Sequence, residues 1–133
     1  MKLFVIGLGP GDEQMMTGRA KTALEKADCI VGYGVYVDLI RHLIEGKEVL
    51  STPMKQEVAR CRMAVEAAIS GKTVAMVSSG DAGIYGMAGL IYEVLSDYPD
   101  ARIEVEVIPG ITAATSAAAG LGAPLTHDFA GVS

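Results

Sequence analysis

Apolar residues fall into short continuous runs, separated by longer segments in which they recur every three or four positions. Five runs read as strands: Leu3 to Ile6, Cys29 to Val31, Val49 to Leu50, Val74 to Val77 and Ile103 to Ile108. The first and fourth are apolar throughout, as in strands covered on both faces, whereas IEVEVI alternates and is expected toward a sheet edge. The intervening segments carry helical stripes. Ala20, Ala23, Leu24 and Ala27 form one, in a helix starting near Thr17; Val58, Cys61, Val65, Ala68 and Ile69 form another, closed at Gly71. A shorter helix is expected over Leu39, Ile40, Leu43 and Ile44, ending at Gly46, and a further one over Met87, Leu90, Ile91, Val94 and Leu95. Strand and helix alternating in this way predict an α/β fold, a mainly parallel five-stranded sheet flanked by helices.

The stretch from Ile111 to Leu121 is almost entirely alanine, threonine, serine and glycine, a helix whose small side chains let other backbone or a flat ligand approach closely. The turn residues of GLGAPLTHDFAGVS follow it. Residues 1–121 are therefore expected to form one domain, with 122–133 a linker and the start of a second.

Composition narrows the picture. The 133 residues are 50% apolar and 20% charged, enough for a continuous core and unlike a disordered chain. The net charge of −5 comes from interspersed acids without a basic stripe, so nucleic acid is not expected as a partner. Cys29 and Cys61 have no histidine or second pair at ligand spacing, so buried, reduced thiols are expected and no metal site. Glycines and a proline interrupt the N-terminal apolar run, and no segment offers the roughly 18 apolar residues of a membrane span. A soluble cytoplasmic protein without membrane association is the expectation.

Candidate chemistry lies in three glycine-containing loops, each after a strand, where the carboxyl ends of parallel strands open a binding crevice. The first, Gly7 to Asp12, has spacing G-x-G-P-G rather than the G-x-G-x-x-G of dinucleotide sites, and Pro10 lacks an N–H for a phosphate. The second, Ser78 to Gly86, carries Asp81, which can face a ligand, cap the following helix, or do both. In the third, Ile108 to Ala114, Pro109 and Gly110 make the turn, and Thr112 either caps the next helix or offers a ligand its hydroxyl.

Taken in order, GLGPGD, ADCIVGYGVYVDLI, MVSSGDAGIYGMAGL and VIPGITAATSAAAGLGAPLTHDFA resemble the tetrapyrrole methylases, the class III methyltransferases, from Met1 to the last residue. VGYGVYVDLI, EVARCR and SSGDAGIYGMAGL are most similar to the family's precorrin-3B (or cobalt-factor III) C17-methyltransferase branch. Other members more often have proline where this chain has Ala82. The resemblance implies two α/β domains with S-adenosylmethionine in the cleft between them and a tetrapyrrole above it, of which this chain holds the first, with strand order 3-2-4-1-5. It implies S-adenosylmethionine-dependent methylation of C17 with ring contraction in cobalamin biosynthesis, and a homodimer as the full-length protein. By motif, Pro10, Ser79, Gly80, Asp81, Ile84, Thr112 and Ala113 would contact the methyl donor, largely through backbone.

In related uroporphyrinogen methyltransferases an acid after the second strand is assigned as proton acceptor. Here Gly32, Tyr33 and Gly34 fall at that place, so the role does not transfer. Tyr33 either faces the tetrapyrrole or is buried or stacked; His127, in THDF, is either an acid or base for the ring chemistry or structural. Arg19, Lys55, Arg60 and Arg62 are candidates to meet the substrate's carboxylates. Two other readings stand beside this one: a diphthine synthase or ribosomal-RNA methylase of the same class, and a non-catalytic cofactor- or tetrapyrrole-binding domain. The acidic balance weighs against the first, and the isolated chain is expected to be weak or inactive in turnover.

Overall fold

The computed structural model describes residues 1–84, 86–123, 125 and 130. The strands are β1 (Lys2–Gly7), β2 (Cys29–Tyr33), β3 (Glu48–Thr52), β4 (Thr73–Ser78) and β5 (Glu104–Ile108). The helices are α1 (Gly18–Lys26), α2 (Gly34–Asp38), α3 (Glu57–Ile69), α4 (Ala88–Leu95) and α5 (Ala113–Gly120). Every strand run expected from the sequence is a strand. All pairings are parallel, in the order β3-β2-β4-β1-β5. The alternating IEVEVI segment forms an edge strand, and the central β1 and β4 are the two continuously apolar ones.

Alternation along the strands divides the core into two layers. Leu3, Val5, Val31 and Met76 face α3 and α4, while Phe4, Ile6, Ile30 and Val77 face α1 and the segment after β2. Each fully buried large side chain contributes about 1.5–3 kcal/mol of transfer free energy, so these interior positions dominate stability. Cys29 and Cys61 are buried free thiols within the α3/α4 layer. No helix among the described residues is long and apolar enough to cross a membrane.

Thr17 is the N-cap of α1, its Oγ1 accepting from the Ala20 N–H at 3.1 Å, and the expected stripe of Ala20, Ala23, Leu24 and Ala27 is buried. Thr17→Ala is expected to cost about 1 kcal/mol and lower the melting temperature by roughly 4 °C. Thr17→Ser should retain most of this, which thermal melts followed by circular dichroism would check.

Two helical expectations are corrected. Residues 39–44 form no single helix. The chain makes the short α2, leaves helical geometry at Ile40 (φ −118°, ψ 14°), and makes one 3₁₀ turn at Arg41–Leu43. Ile40 and Ile44 are nevertheless buried, because a four-residue apolar spacing is met equally by two tight turns; Leu39 is exposed. On α3 the buried arc is Arg60, Cys61, Ala64, Val65, Ala67 and Ala68, whereas Val58 and Ile69, at its two ends and on the flank of the stripe, are exposed.

Candidate functional site

Because β4 and β1 are neighbours and β1 also pairs with β5, the loops leaving these three strands meet at one end of the sheet. Loop one is locked onto loop two. Leu8 N–H donates to Ser78 O (2.8 Å), Gly9 N–H to Gly80 O (3.0 Å) and Gly80 N–H to Gly9 O (2.8 Å). These bonds form a short antiparallel bridge beyond the parallel sheet. The Leu8 and Gly9 amides are thus spent on protein carbonyls rather than turned to a phosphate, in keeping with the G-x-G-P-G spacing.

Asp81 holds the second and third loops together. Its Oδ2 accepts from the N–H groups of Gly83 (2.8 Å) and Ile84 (3.1 Å), and its Oδ1 accepts from Gly110 N–H at 3.0 Å. It does not cap α4, which begins at Ala88 with Met87 at the cap position, so the helix-capping alternative is corrected. The carboxylate caps its own loop and reaches residue 110. Gly110 lies so close that a Cβ there would press on the carbonyl oxygens of Gly80 and Gly7, 2.5 Å from the latter. Thr112 is the N-cap of α5, through a long 3.4 Å contact from Ala114 N–H to its Oγ1.

These constraints leave a cavity of about 270 Å³ lined by Ser79, Gly80, Ile84, Thr112, Ala113 and Ala114. Five of the seven sequence-singled positions therefore share one cavity. Pro10, exposed on the first loop, and Asp81, tied to amides behind it, do not line it. Ala114 was not anticipated, though its position one residue after Ala113 on the same first helical turn carried the signal.

A second cavity, of about 210 Å³, adjoins the first through Ser79. Tyr33 lines it, partly buried, with its ring 5.2 Å from Tyr36 in an edge-on arrangement and the Arg60 guanidinium 5.8 Å above its face. Lys55, Arg60 and Ser78 line the same cavity. Tyr36 and Ser78 gave no sequence signal beyond lying at or just after a strand's carboxyl end. Arg19 and Arg62 lie elsewhere, against Glu106 (3.8 Å) and Asp97 (2.7 Å) respectively. Asp38, the first acid after β2, is exposed and paired with Arg41 at 3.1 Å. His127 lies outside the described residues. Burial raises the thiols of both cysteines, that of Cys61 to about 11, so neither is a thiolate near neutral pH.

With this geometry in hand, the family model described as Tetrapyrrole (Corrin/Porphyrin) Methylases matches residues 2–133. The chain belongs to this family. Among the tetrapyrrole methylases, a probable cobalt-factor III C(17)-methyltransferase of Salmonella typhimurium is 50% identical over 131 residues, 98% of this chain and 54% of the relative. The crystal structure of the methyltransferase CobJ superimposes with a TM-score of 0.88 at 44% identity, covering 96% of this chain and 54% of that one. A uroporphyrin-III C-methyltransferase of Thermus thermophilus, solved in complex with S-adenosyl homocysteine, superimposes with a TM-score of 0.71 at 26% identity over 96% of this chain and 54% of its own. The chain spans about half the length, or less, of the curated relatives it matches.

Proposed function

We propose that this chain is the cofactor-holding part of an S-adenosylmethionine-dependent C-methyltransferase that methylates C17 of cobalt-factor III or precorrin-3B, with ring contraction, in cobalamin biosynthesis. The observation that carries the reading is the cavity at the meeting of the three loops, lined by Ser79, Gly80, Ile84, Thr112, Ala113 and Ala114. Small side chains expose backbone N–H and C=O groups to a polar ligand, and Ile84 offers an apolar surface to a base or methylene chain. The chemistry of the lining therefore fits an adenosyl amino acid, and the relative solved with S-adenosyl homocysteine supports it. In this reading Ser79, Gly80, Ile84, Thr112 and Ala113 contact the methyl donor, Asp81 and Gly110 fix the loops that carry them, and Pro10, which does not line the cavity, is kept as a methyl-donor contact from the first loop.

When bound, S-adenosylmethionine supplies the methyl group, its sulfur keeping the electron pair as the tetrapyrrole carbon forms the new bond. The chain's own residues position the partners and exclude water. Ser79, shared by both cavities, marks where donor and acceptor would meet, and Tyr33 would face the tetrapyrrole. His127 is retained as an acid or base for ring contraction. The first cavity is smaller than the roughly 300–1,000 Å³ usual for small-molecule sites, and α5 buries none of its residues. Both are in keeping with a cleft that a second domain completes; in this reading residues 1–121 are the first domain, 122–133 lead into the second, and the whole protein is a homodimer. We place the activity in the cytoplasm.

Calorimetric titration of S-adenosylhomocysteine into the chain, and into the chain joined to the second half of the Salmonella relative, tests the reading. Saturable binding is expected, tighter in the joined form, with methyl transfer to cobalt-factor III only there. Absence of heat in both would overturn it; turnover on diphthine precursors or ribosomal RNA instead would reassign the substrate, and binding without turnover in the joined form would favour a non-catalytic domain.

A further inference from the structure

Arg60 is buried, with only 6% of its surface exposed, yet among the described residues no carboxylate lies within ion-pair distance of it. A cation taken out of water without a counter-ion is costly. Its Nε donates to Thr52 Oγ1 at 2.8 Å, and its guanidinium lies over the Tyr33 ring. These contacts fix the side chain while leaving the terminal amino groups without a hydrogen-bond partner among the described residues. The cavity that Arg60 lines is the second of the two above.

Two independent features mark the same cavity. Ser78, also nine-tenths buried, has a hydroxyl without a hydrogen-bond partner among the described residues. A buried, unsatisfied donor costs about 1–3 kcal/mol unless a ligand meets it. Lys55, across the cavity on the β3–α3 connection, holds φ at 66°, the only non-glycine residue with positive φ among those described. Left-handed backbone in a residue with a long side chain is retained where the surroundings require the conformation, and here it belongs to a cationic residue that lines the cavity. Glu57 also lines the cavity from the exposed first turn of α3, so two cations face one carboxylate and the local balance is positive.

We propose that this cavity is an oxyanion subsite that grips one peripheral carboxylate of the tetrapyrrole, with Arg60 and Lys55 as charge partners and the Ser78 hydroxyl as a third donor. The proposal rests on the tetrapyrrole-methylase reading above and assigns it a substrate anchor. Arg60 presents its amino groups as a fork suited to both carboxylate oxygens. Thr52 and Tyr33 are positioning residues that hold the fork at its angle. Because the cavity meets the first one at Ser79, a carboxylate gripped here would place its ring beside the methyl-donor cavity.

The test uses uroporphyrin III, a stable tetrapyrrole with eight carboxylates, as probe, its binding followed by porphyrin fluorescence in the chain and in the joined form. Arg60→Gln is expected to weaken binding by about ten-fold or more while S-adenosylhomocysteine affinity stays unchanged, and Arg60→Lys to recover part of the loss. Lys55→Asn, exposed and tolerant of positive φ, should weaken it about three-fold and carries the test if Arg60→Gln fails to fold. Unchanged porphyrin affinity in a folded Arg60→Gln, or in Lys55→Asn where the former does not fold, would overturn the subsite. Loss of S-adenosylhomocysteine binding by the wild-type chain would instead overturn the cofactor reading and leave the porphyrin result standing by itself.

Discussion

Replacing Gly110 with alanine is expected to destabilise the chain by about 3 kcal/mol or more and to abolish S-adenosylhomocysteine binding. The added Cβ would press on two backbone carbonyls, those of Gly80 and Gly7, and neither can move alone. Gly7 ends the central β1, and Gly80 is bridged to Gly9 by two hydrogen bonds. Side-chain tips yield to overpacking, whereas backbone held in a sheet does not. Relief would require the third loop to withdraw, breaking the bond from Gly110 N–H to Asp81 and parting Thr112 and Ala113 from Ser79 and Gly80 across the cavity. Urea denaturation and calorimetry measure the two effects; a variant within about 0.5 kcal/mol of wild type that binds the ligand normally would refute the close approach of the three loops.

Asp81→Ala carries the second largest effect, for a different reason. One carboxylate accepts from three backbone amides on two loops 29 residues apart at the extreme. Hydrogen bonds to a charged acceptor are worth about 1.5–3 kcal/mol each, but the Gly83 and Ile84 amides are exposed and can turn to water. The partly buried Gly110 amide cannot do so as readily. A loss of about 2–3 kcal/mol is expected, with S-adenosylhomocysteine affinity reduced ten-fold or more as the loops part. Asp81→Asn should fall between, since a single amide oxygen serves one loop or the other. Unchanged stability and affinity in Asp81→Ala would show that the carboxylate does not join the loops.

The helix-capping alternative for Asp81 failed because sequence spacing gives a local answer to a question that is not local. An aspartate ahead of an apolar helical stripe fits an N-cap, but the partner that distinguishes it, Gly110, lies two elements further on. Arg60 is the same case in reverse. In EVARCR the sequence reads Arg60 as one of four candidate partners for substrate carboxylates, on a par with Arg19, Lys55 and Arg62, and only packing against Thr52 and Tyr33 sets it apart as the buried one. Residues 39–44 show a third kind of limit, an apolar period that two tight turns satisfy as well as a helix.

By itself the sequence determined the five strands, most of the helical stripes and the three glycine loops, because period-two and period-3.6 burial are properties of contiguous residues. Its motif order also carried the family resemblance and, through it, the strand order. Only the tertiary structure decided which loop residues share a cavity, that Asp81 joins loops rather than capping a helix, and that a buried cation faces a second cavity. The first two depend on pairing β1 with both β4 and β5, which brings residues 7, 80 and 110 within ångströms of one another, and the third on pairing β2 with β3, which sets Tyr33 opposite Thr52 against Arg60 of α3; no local pattern along the chain encodes such distances.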